Sequence, residues 1–420
     1  MGIKDLLLND ENFKYERTDI NHKNYIDMLH EISSVPLVGD INGNVNYKEE
    51  IIIPQINKDD VLIIVDMQND FMDYENSSDY EKKQWFGTDI DETKAGAFGV
   101  AESTNMDLDN FVKVIQKFKD ENAMIIATKD YHPPGHCSFK STSTTDGIYP
   151  DHCVWDEPGA KIVEPILNEI KNYPNSRIVY KGFDVNTDSF SGLQYAKYKN
   201  EISNVCGCGT VNVGGGCSST WTGSFEIEGL GKEDNPDTKF MQEHIDKCKE
   251  NGNFNKKDGC TMTRLDTILE EAKPLNIFIV GLAGDICVLD TAINAALAGY
   301  KVYIIDDLIR IAFVPIKLGG KGYVNTPLDF LDKINGKDIT LIKSSKITGG
   351  AAGTAGGFGK RRKSRKSRKK SKRKSLKKSK RKSLKKSKRK SRKSRKKSKR
   401  KSLKKSKRKS RKSRKKSKRK

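Results

Sequence analysis

Three strongly apolar stretches of this sequence each run directly into a side chain that can do chemistry. Val61-Leu62-Ile63-Ile64-Val65 leads into Asp66, Ile178-Val179-Tyr180 leads into Lys181, and Ile277-Phe278-Ile279-Val280 is followed closely by Cys287. A thiol is a nucleophile once it loses its proton, and the first turn of a helix favours the thiolate through its dipole and free amides. A neighbouring ammonium would favour it further. A carboxylate within reach could take the thiol proton and later pass it to a departing amine. Taken singly, each residue has a plainer role. A cysteine behind an apolar strand is usually a small buried hydrophobe, an aspartate there is often a helix cap, and a lone lysine is usually solvated. Their coincidence at three run ends favours a catalytic set.

A second group follows another apolar run, Met124 to Ala127. Asp130 and His132 lie two apart in Asp130-Tyr131-His132-Pro133-Pro134-Gly135-His136, so an extended backbone points both side chains the same way. His152 follows in Tyr149-Pro150-Asp151-His152-Cys153. Three of the six histidines of the chain fall in this short window. One carboxylate and two imidazoles suit a divalent zinc, iron or manganese ion, with zinc first in order and water in the open positions. Local turn capping is the plainer alternative.

Continuous apolar runs are the pattern of strands buried on both faces. Six occur, at 61–65, 124–127, 178–180, 277–280, 302–305 and 339–342. Helical periods lie between most of them, at 108–118, 163–170, 288–297 and 327–334. This alternation predicts an α/β fold: a doubly wound, mainly parallel sheet of about six strands with helices on both faces. Ligands of such sheets bind beyond the carboxyl ends of the strands, where Asp66, Asp130, Lys181 and Cys287 stand.

The remainder of the 420 residues is read around that frame. Residues 1–57 form a polar extension, weakly helical near 25–32, expected to pack on the core. The region of alternating strands and helices spans 58–348. It is interrupted by an acidic, irregular segment at 72–96 and by a Gly- and Cys-rich one at 196–260, both long for loops. The second holds Cys206, Cys208, Cys217, Cys248, Cys260 and His244, which could be plain thiols or the ligands of a structural zinc. Residues 349–359 read as a Gly-rich linker.

The formal charge of +24 is concentrated at one end. Residues 360–420 carry 43 Lys and Arg and no acid, whereas the preceding 359 residues are net −19. The tail repeats itself, residues 364–382 recurring unchanged at 391–409, and its near lack of apolar residues predicts a disordered polyelectrolyte. Such a tail suits non-specific binding of nucleic acid or another polyanion, or an address to the nucleus. With no aromatic interleaved, base stacking is not indicated. No run approaches the length of a membrane span and no signal peptide is evident. The eight cysteines are therefore expected to be thiols in an intracellular, cytoplasmic protein with no membrane partner.

These residues together resemble the nicotinamidases of the isochorismatase-like cysteine hydrolases. The phrases that carry the resemblance are Asp66-Met67-Gln68-Asn69-Asp70-Phe71, Lys129 to Phe139, Asp151-His152-Cys153-Val154, Gly159-Ala160, Lys181-Gly182-Phe183-Asp184, Asp188-Ser189-Phe190-Ser191, and Gly281 to Val288, in family order. The segment 196–260 has no counterpart in that pattern. The resemblance implies Cys287 as nucleophile, Asp66 as general base and acid, and Lys181 as their electrostatic partner. It implies Asp130, His132 and His152 as metal ligands; His136 is a ligand in some relatives and a bystander in others. Phe71 and Tyr149 would pack on the substrate ring. A cis peptide at Leu282-Ala283 would aim the amides of Ala283 and Cys287 at an oxyanion. The implied reaction is hydrolysis of nicotinamide to nicotinate and ammonia through a thioester, in NAD salvage. The alternatives are another amide or carbamoyl hydrolase of the superfamily, and a nucleic-acid-binding protein built on an enzyme-derived domain.

Overall fold

The computed structural model describes residues 53–87, 95–142, 149–195, 221–228, 238–250, 259–312, 330 and 333–349, together with the backbone of 38–39 and 45–46. The chain divides into two units, Met1–Gly353 and Thr354–Lys420. The second unit, the Gly-rich linker, most of the N-terminal extension and the expected helix near 25–32 lie outside the described residues. So do Cys206, Cys208 and Cys217.

Every residue of Val61–Val65 (β1) is buried. Fully burying a Val, Leu or Ile side chain contributes about 1.5–3 kcal/mol, so this strand belongs in the middle of the sheet. It sits there, between Met124–Asp130 (β2) on one side and Asn276–Gly281 on the other. Beyond β2 come Ser176–Lys181 (β3), Ser224–Ile227 (β4) and Met262–Arg264 (β5). Beyond Asn276–Gly281 (β6) come Lys301–Ile309 (β7) and Ile339–Ile342 (β8). The order is β8-β7-β6-β1-β2-β3-β4-β5. All six expected strands are present and mutually parallel.

The sheet has eight strands rather than six. β4 and β5 add to the β3 edge, antiparallel, with Tyr180 opposite Phe225 and Phe225 opposite Arg264. These strands are three or four residues long, too short for a periodic signal to rise out of a Gly- and Cys-rich context. The segment 196–260 thus supplies part of the sheet, and its helix Thr238–Glu250 lies between the two short strands in sequence. Cys248 and Cys260 are joined in a disulfide, and Cys137 is also disulfide-bonded. The expectation of free thiols therefore fails for these three. A zinc on Cys248 and Cys260 is ruled out too, because a bridged sulfur is no thiolate; His244 Nδ1 meets the Thr261 hydroxyl.

The helices follow their apolar spacing. Leu108–Asp120 buries Phe111, Val114, Ile115 and Phe118, one stripe at three- and four-residue intervals, and the Asp107 carboxylate caps it by accepting from Asn110 N–H at 3.1 Å. Glu164–Ile170 and Leu289–Leu297 fall where expected. Of 327–334, residues 330 and 333–334 are helical and the rest lies outside the described residues. The acidic segment 72–96 is not wholly irregular. Asp79–Phe86 is a helix opened by a Ser78/Glu81 capping box, anchored by buried Trp85 and Phe86. No described helix is long and apolar enough to cross a membrane.

Candidate active site

Sheet register brings the chemistry together. Asp130 and Lys181 are opposite each other at the ends of β2 and β3, and Val65, just before Asp66, is opposite Gly281 at the end of β6. The carboxyl ends of β6, β1, β2 and β3 thus form one rim. Asp66 turns off β1 with a positive φ of 46°, a conformation that aspartate tolerates better than most residues. Gly281, at φ 115°, is required by proximity: a Cβ there would lie 2.1 Å from the Val65 carbonyl oxygen. The chain then passes through a cis Leu282-Ala283 peptide, as the resemblance implied, into a tight π-turn, Gly284–Val288, which carries Cys287 and opens the helix Leu289–Leu297.

Lys181 is the hub of the rim. Its ammonium lies 2.9 Å from Asp66 Oδ2, 2.5 Å from Asp130 Oδ1 and 3.7 Å from Cys287 Sγ, with no solvent exposure. Burial alone would push it toward neutrality, but the two carboxylates outweigh that and hold its pKa well above the usual value. Asp66 also accepts from the Thr128 hydroxyl at 2.6 Å. Burial raises its pKa to about 6, against the pull of Lys181 and with a further push from Asp130. The Cys287 thiol is likewise pushed up by burial, although Lys181 opposes the shift, and its sulfur lies within 4.8 Å of an Asp66 carboxylate oxygen. The expected thiolate is therefore not the resting form. Loss of solvation outweighs the turn and the ammonium, so a proton sits on sulfur with the Asp66 carboxylate nearby.

Asp130 has a second free edge, and it faces the imidazoles. His132 Nε2 lies 3.8 Å from Asp130 Oδ2. A short parallel pairing of His132 with Val154 brings the 152–154 segment alongside, closed by His132 N–H to Cys153 O at 2.9 Å. His132 Nδ1 lies 2.7 Å from Gly182 O and His152 Nδ1 lies 2.7 Å from Pro150 O. Each ring thus donates through Nδ1 and leaves Nε2 as a lone-pair donor, the arrangement found around metal-binding histidines. Burial, with the neighbouring rings, lowers the His132 pKa well below its usual value and keeps the ring neutral. Asp130, His132 and His152 offer ligand atoms within 4.8 Å of one another, so a divalent metal fits the donor set. His136 stacks on His132 with ring centroids 4.1 Å apart. Both of its nitrogens have partners: Nε2 lies 3.3 Å from Thr187 O, and Nδ1 accepts from Ser138 N–H at 3.3 Å.

A pocket opens between these two groups, lined by Phe71, Phe98, Asp130, Tyr149, His152, Phe190, Ala283, Ile286 and Cys287. Its walls are mostly aromatic. Phe71 and Phe98 each pack on His152, with centroids 5.4 and 5.3 Å apart, and Tyr149 packs edge-on to Phe98 at 5.3 Å. Among the described residues the buried Tyr149 hydroxyl has no hydrogen-bond partner. Sequence reasoning placed Asp66, Lys181, Cys287, Asp130, His132, His152, Phe71, Tyr149 and Ala283 here, and they are together. It missed Phe98, Phe190 and Ile286. Phe190 and Ile286 lie inside phrases that carry the resemblance, whereas Phe98 follows the acidic segment with nothing to single it out.

An isochorismatase domain model matches residues 222–310, a stretch that includes Cys287. The nicotinamidase of Saccharomyces cerevisiae is 23% identical over 270 residues, covering 59% of this chain and 87% of that protein. The nicotinamidase of Escherichia coli is 24% identical over 262 residues, covering 59% and 82%. Among solved structures, a pyrazinamidase of Pyrococcus horikoshii in complex with zinc has a TM-score of 0.39 at 21% identity, covering 68% of this chain and 99% of that one. Over residues 222–310 the chain is similar to an isochorismatase domain, and the two curated relatives are nicotinamidases.

Proposed function

We propose that the protein is a nicotinamidase, hydrolysing nicotinamide to nicotinate and ammonia in NAD salvage. The observation that carries this reading is the shared pocket: Cys287 and its two partners at one end, Asp130, His132 and His152 at the other, and an aromatic-walled slot between. A flat heteroaromatic ring fits such walls, and a carboxamide on it reaches the thiol. As Sγ attacks the carboxamide carbon, the thiol proton passes to Asp66, and Lys181 balances the negative charge that spreads over sulfur and carboxylate. The amides of Ala283 and Cys287 receive the oxyanion. Asp66 returns the proton to the departing ammonia. It then takes a proton from water, which cleaves the thioester and frees nicotinate. A divalent ion on Asp130, His132 and His152, zinc first and iron or manganese as alternatives, would supply positive charge for the ring nitrogen, directly or through water. The test is ammonia release from nicotinamide by the purified full chain, before and after chelation. No release from nicotinamide by the metal-loaded protein would overturn the reading.

The tail adds a second activity to this reading. Residues 360–420 bind nucleic acid or other polyanions without sequence preference, on the strength of 43 cationic side chains and no acid.

A further inference from the structure

Three rings of the pocket wall, Phe71, Phe98 and His152, come from segments far apart in sequence. They pack on one another with centroids 6.0, 5.4 and 5.3 Å apart. A slot made this way needs its segments held in register, because a gap of about 0.5–1 Å already forfeits much of the dispersion attraction between wall and ligand.

One side chain meets the neighbour of each ring. Asp70 directly precedes Phe71 and is 6% exposed. Its Oδ2 accepts the N–H of Cys153, next to His152, at 2.7 Å, and its Oδ1 accepts the N–H of Ala97, next to Phe98, at 3.3 Å. The Asp70 carbonyl oxygen accepts Phe98 N–H at 3.0 Å. Burying a carboxylate is costly unless donors meet it, and here two backbone amides from separate segments do so. A fourth segment leaves space for the carboxylate: a Cβ on Gly159 would stand 2.1 Å from Asp70 Oδ2. Asp70 is not among the described residues that line the pocket, and the reaction above makes no use of it.

We propose that Asp70 is a positioning residue: its carboxylate ties the Ala97-Phe98 and His152-Cys153 segments to Phe71 and so fixes the width of the slot that receives the substrate ring. The proposal rests on the reading above, in which that slot holds the ring. Cys287, Asp66 and Lys181 stand outside these hydrogen bonds, so losing the clamp should weaken binding at the ring end and spare the chemistry at the thiol. His152 also belongs to the donor set Asp130/His132/His152, so metal affinity should follow.

The experiment uses the full chain, with nicotinamide kinetics at saturating Zn²⁺ and Zn²⁺ affinity by competition with a chromogenic chelator. Asp70→Asn replaces one acceptor atom with a donor, so one of the two amides loses its partner. Gly159→Ala leaves Asp70 chemically intact and pushes its carboxylate aside. Both should raise KM about tenfold with kcat within about threefold of the parent, and weaken Zn²⁺ binding about tenfold. Asp60→Asn is the comparison. Asp60 is a fully buried carboxylate that accepts from Asn57 N–H at 2.9 Å and from the Asn276 side-chain amide at 2.7 Å, directly before β1 and so at the far end of that strand from Asp66. It should lower the melting temperature and leave KM and Zn²⁺ affinity as in the parent. Should Asp70→Asn fail to fold, Gly159→Ala decides alone. Parental KM and Zn²⁺ affinity in the clamp variants would overturn the proposal, as would an equal rise of KM in Asp60→Asn, which would assign the effect to lost stability. A parent chain that releases no ammonia would overturn the nicotinamide reading and this proposal with it; with an active parent, the variants alone decide.

Discussion

On the proposed reading Cys287, Asp66 and Lys181 would work only as a unit, because each alone would be a poorly solvated group in an apolar rim. Burial keeps the thiol protonated, and the same burial raises the Asp66 pKa to about 6, high enough for a useful base yet ionised at neutral pH. Replacing Cys287 with Ala should abolish ammonia release while leaving circular dichroism and melting nearly unchanged. The side chain lost is small, and no other free thiol among the described residues lines the pocket. Residual turnover above a thousandth of the parent rate would remove Cys287 from the nucleophile's role. The acid limb of the rate follows from Asp66. Only its carboxylate can accept the thiol proton, and the ionised fraction falls as pH drops through about 6. A profile of kcat/KM should therefore decline tenfold per pH unit on the acid side of about 6. A limb centred near 4, the ordinary carboxyl range, would mean that Asp66 does not gate the reaction.

At the scale of elements, the end of β3 does two jobs: it delivers Lys181 inward and makes room for His132. Gly182 has a φ of 64°, and a Cβ there would stand 2.5 Å from His132 Cε1. Gly182→Ala should thus displace the ring, at a backbone cost of about 1 kcal/mol or more. Bound metal measured by elemental analysis should drop, while the Cys287 thiol remains titratable in the unfolded chain. Metal content equal to that of the parent would show that the His132 position tolerates the added carbon. The six parallel strands were legible because a strand buried on both faces is apolar without interruption, and a reactive residue right after such a run stands out. β4 and β5 were not, since three or four residues such as Met262–Arg264 draw their strand character from the edge they join.

On the scale of the whole molecule, two opposite charge distributions share one chain. The first 359 residues are net −19, and the final 61 carry 43 positive charges. The described residues that line the pocket all lie between Phe71 and Cys287, and on the proposed reading catalysis would not call on the tail. Binding to phosphate backbones, by contrast, has no cationic surplus to draw on elsewhere, and an acidic body repels them. Deleting residues 360–420 should therefore leave kcat/KM for nicotinamide within about twofold and abolish retention of DNA or RNA on a filter. For the full chain, the logarithm of the binding constant should fall steeply and linearly with the logarithm of salt concentration, because each neutralised phosphate releases a condensed counterion. The slope then counts the contacts, and a tail that binds as a polyelectrolyte should give nearly the same slope on duplexes of unrelated sequence. If the shortened protein held nucleic acid as firmly as the full chain, with the same slope, the binding surface would have to lie on the acidic unit instead.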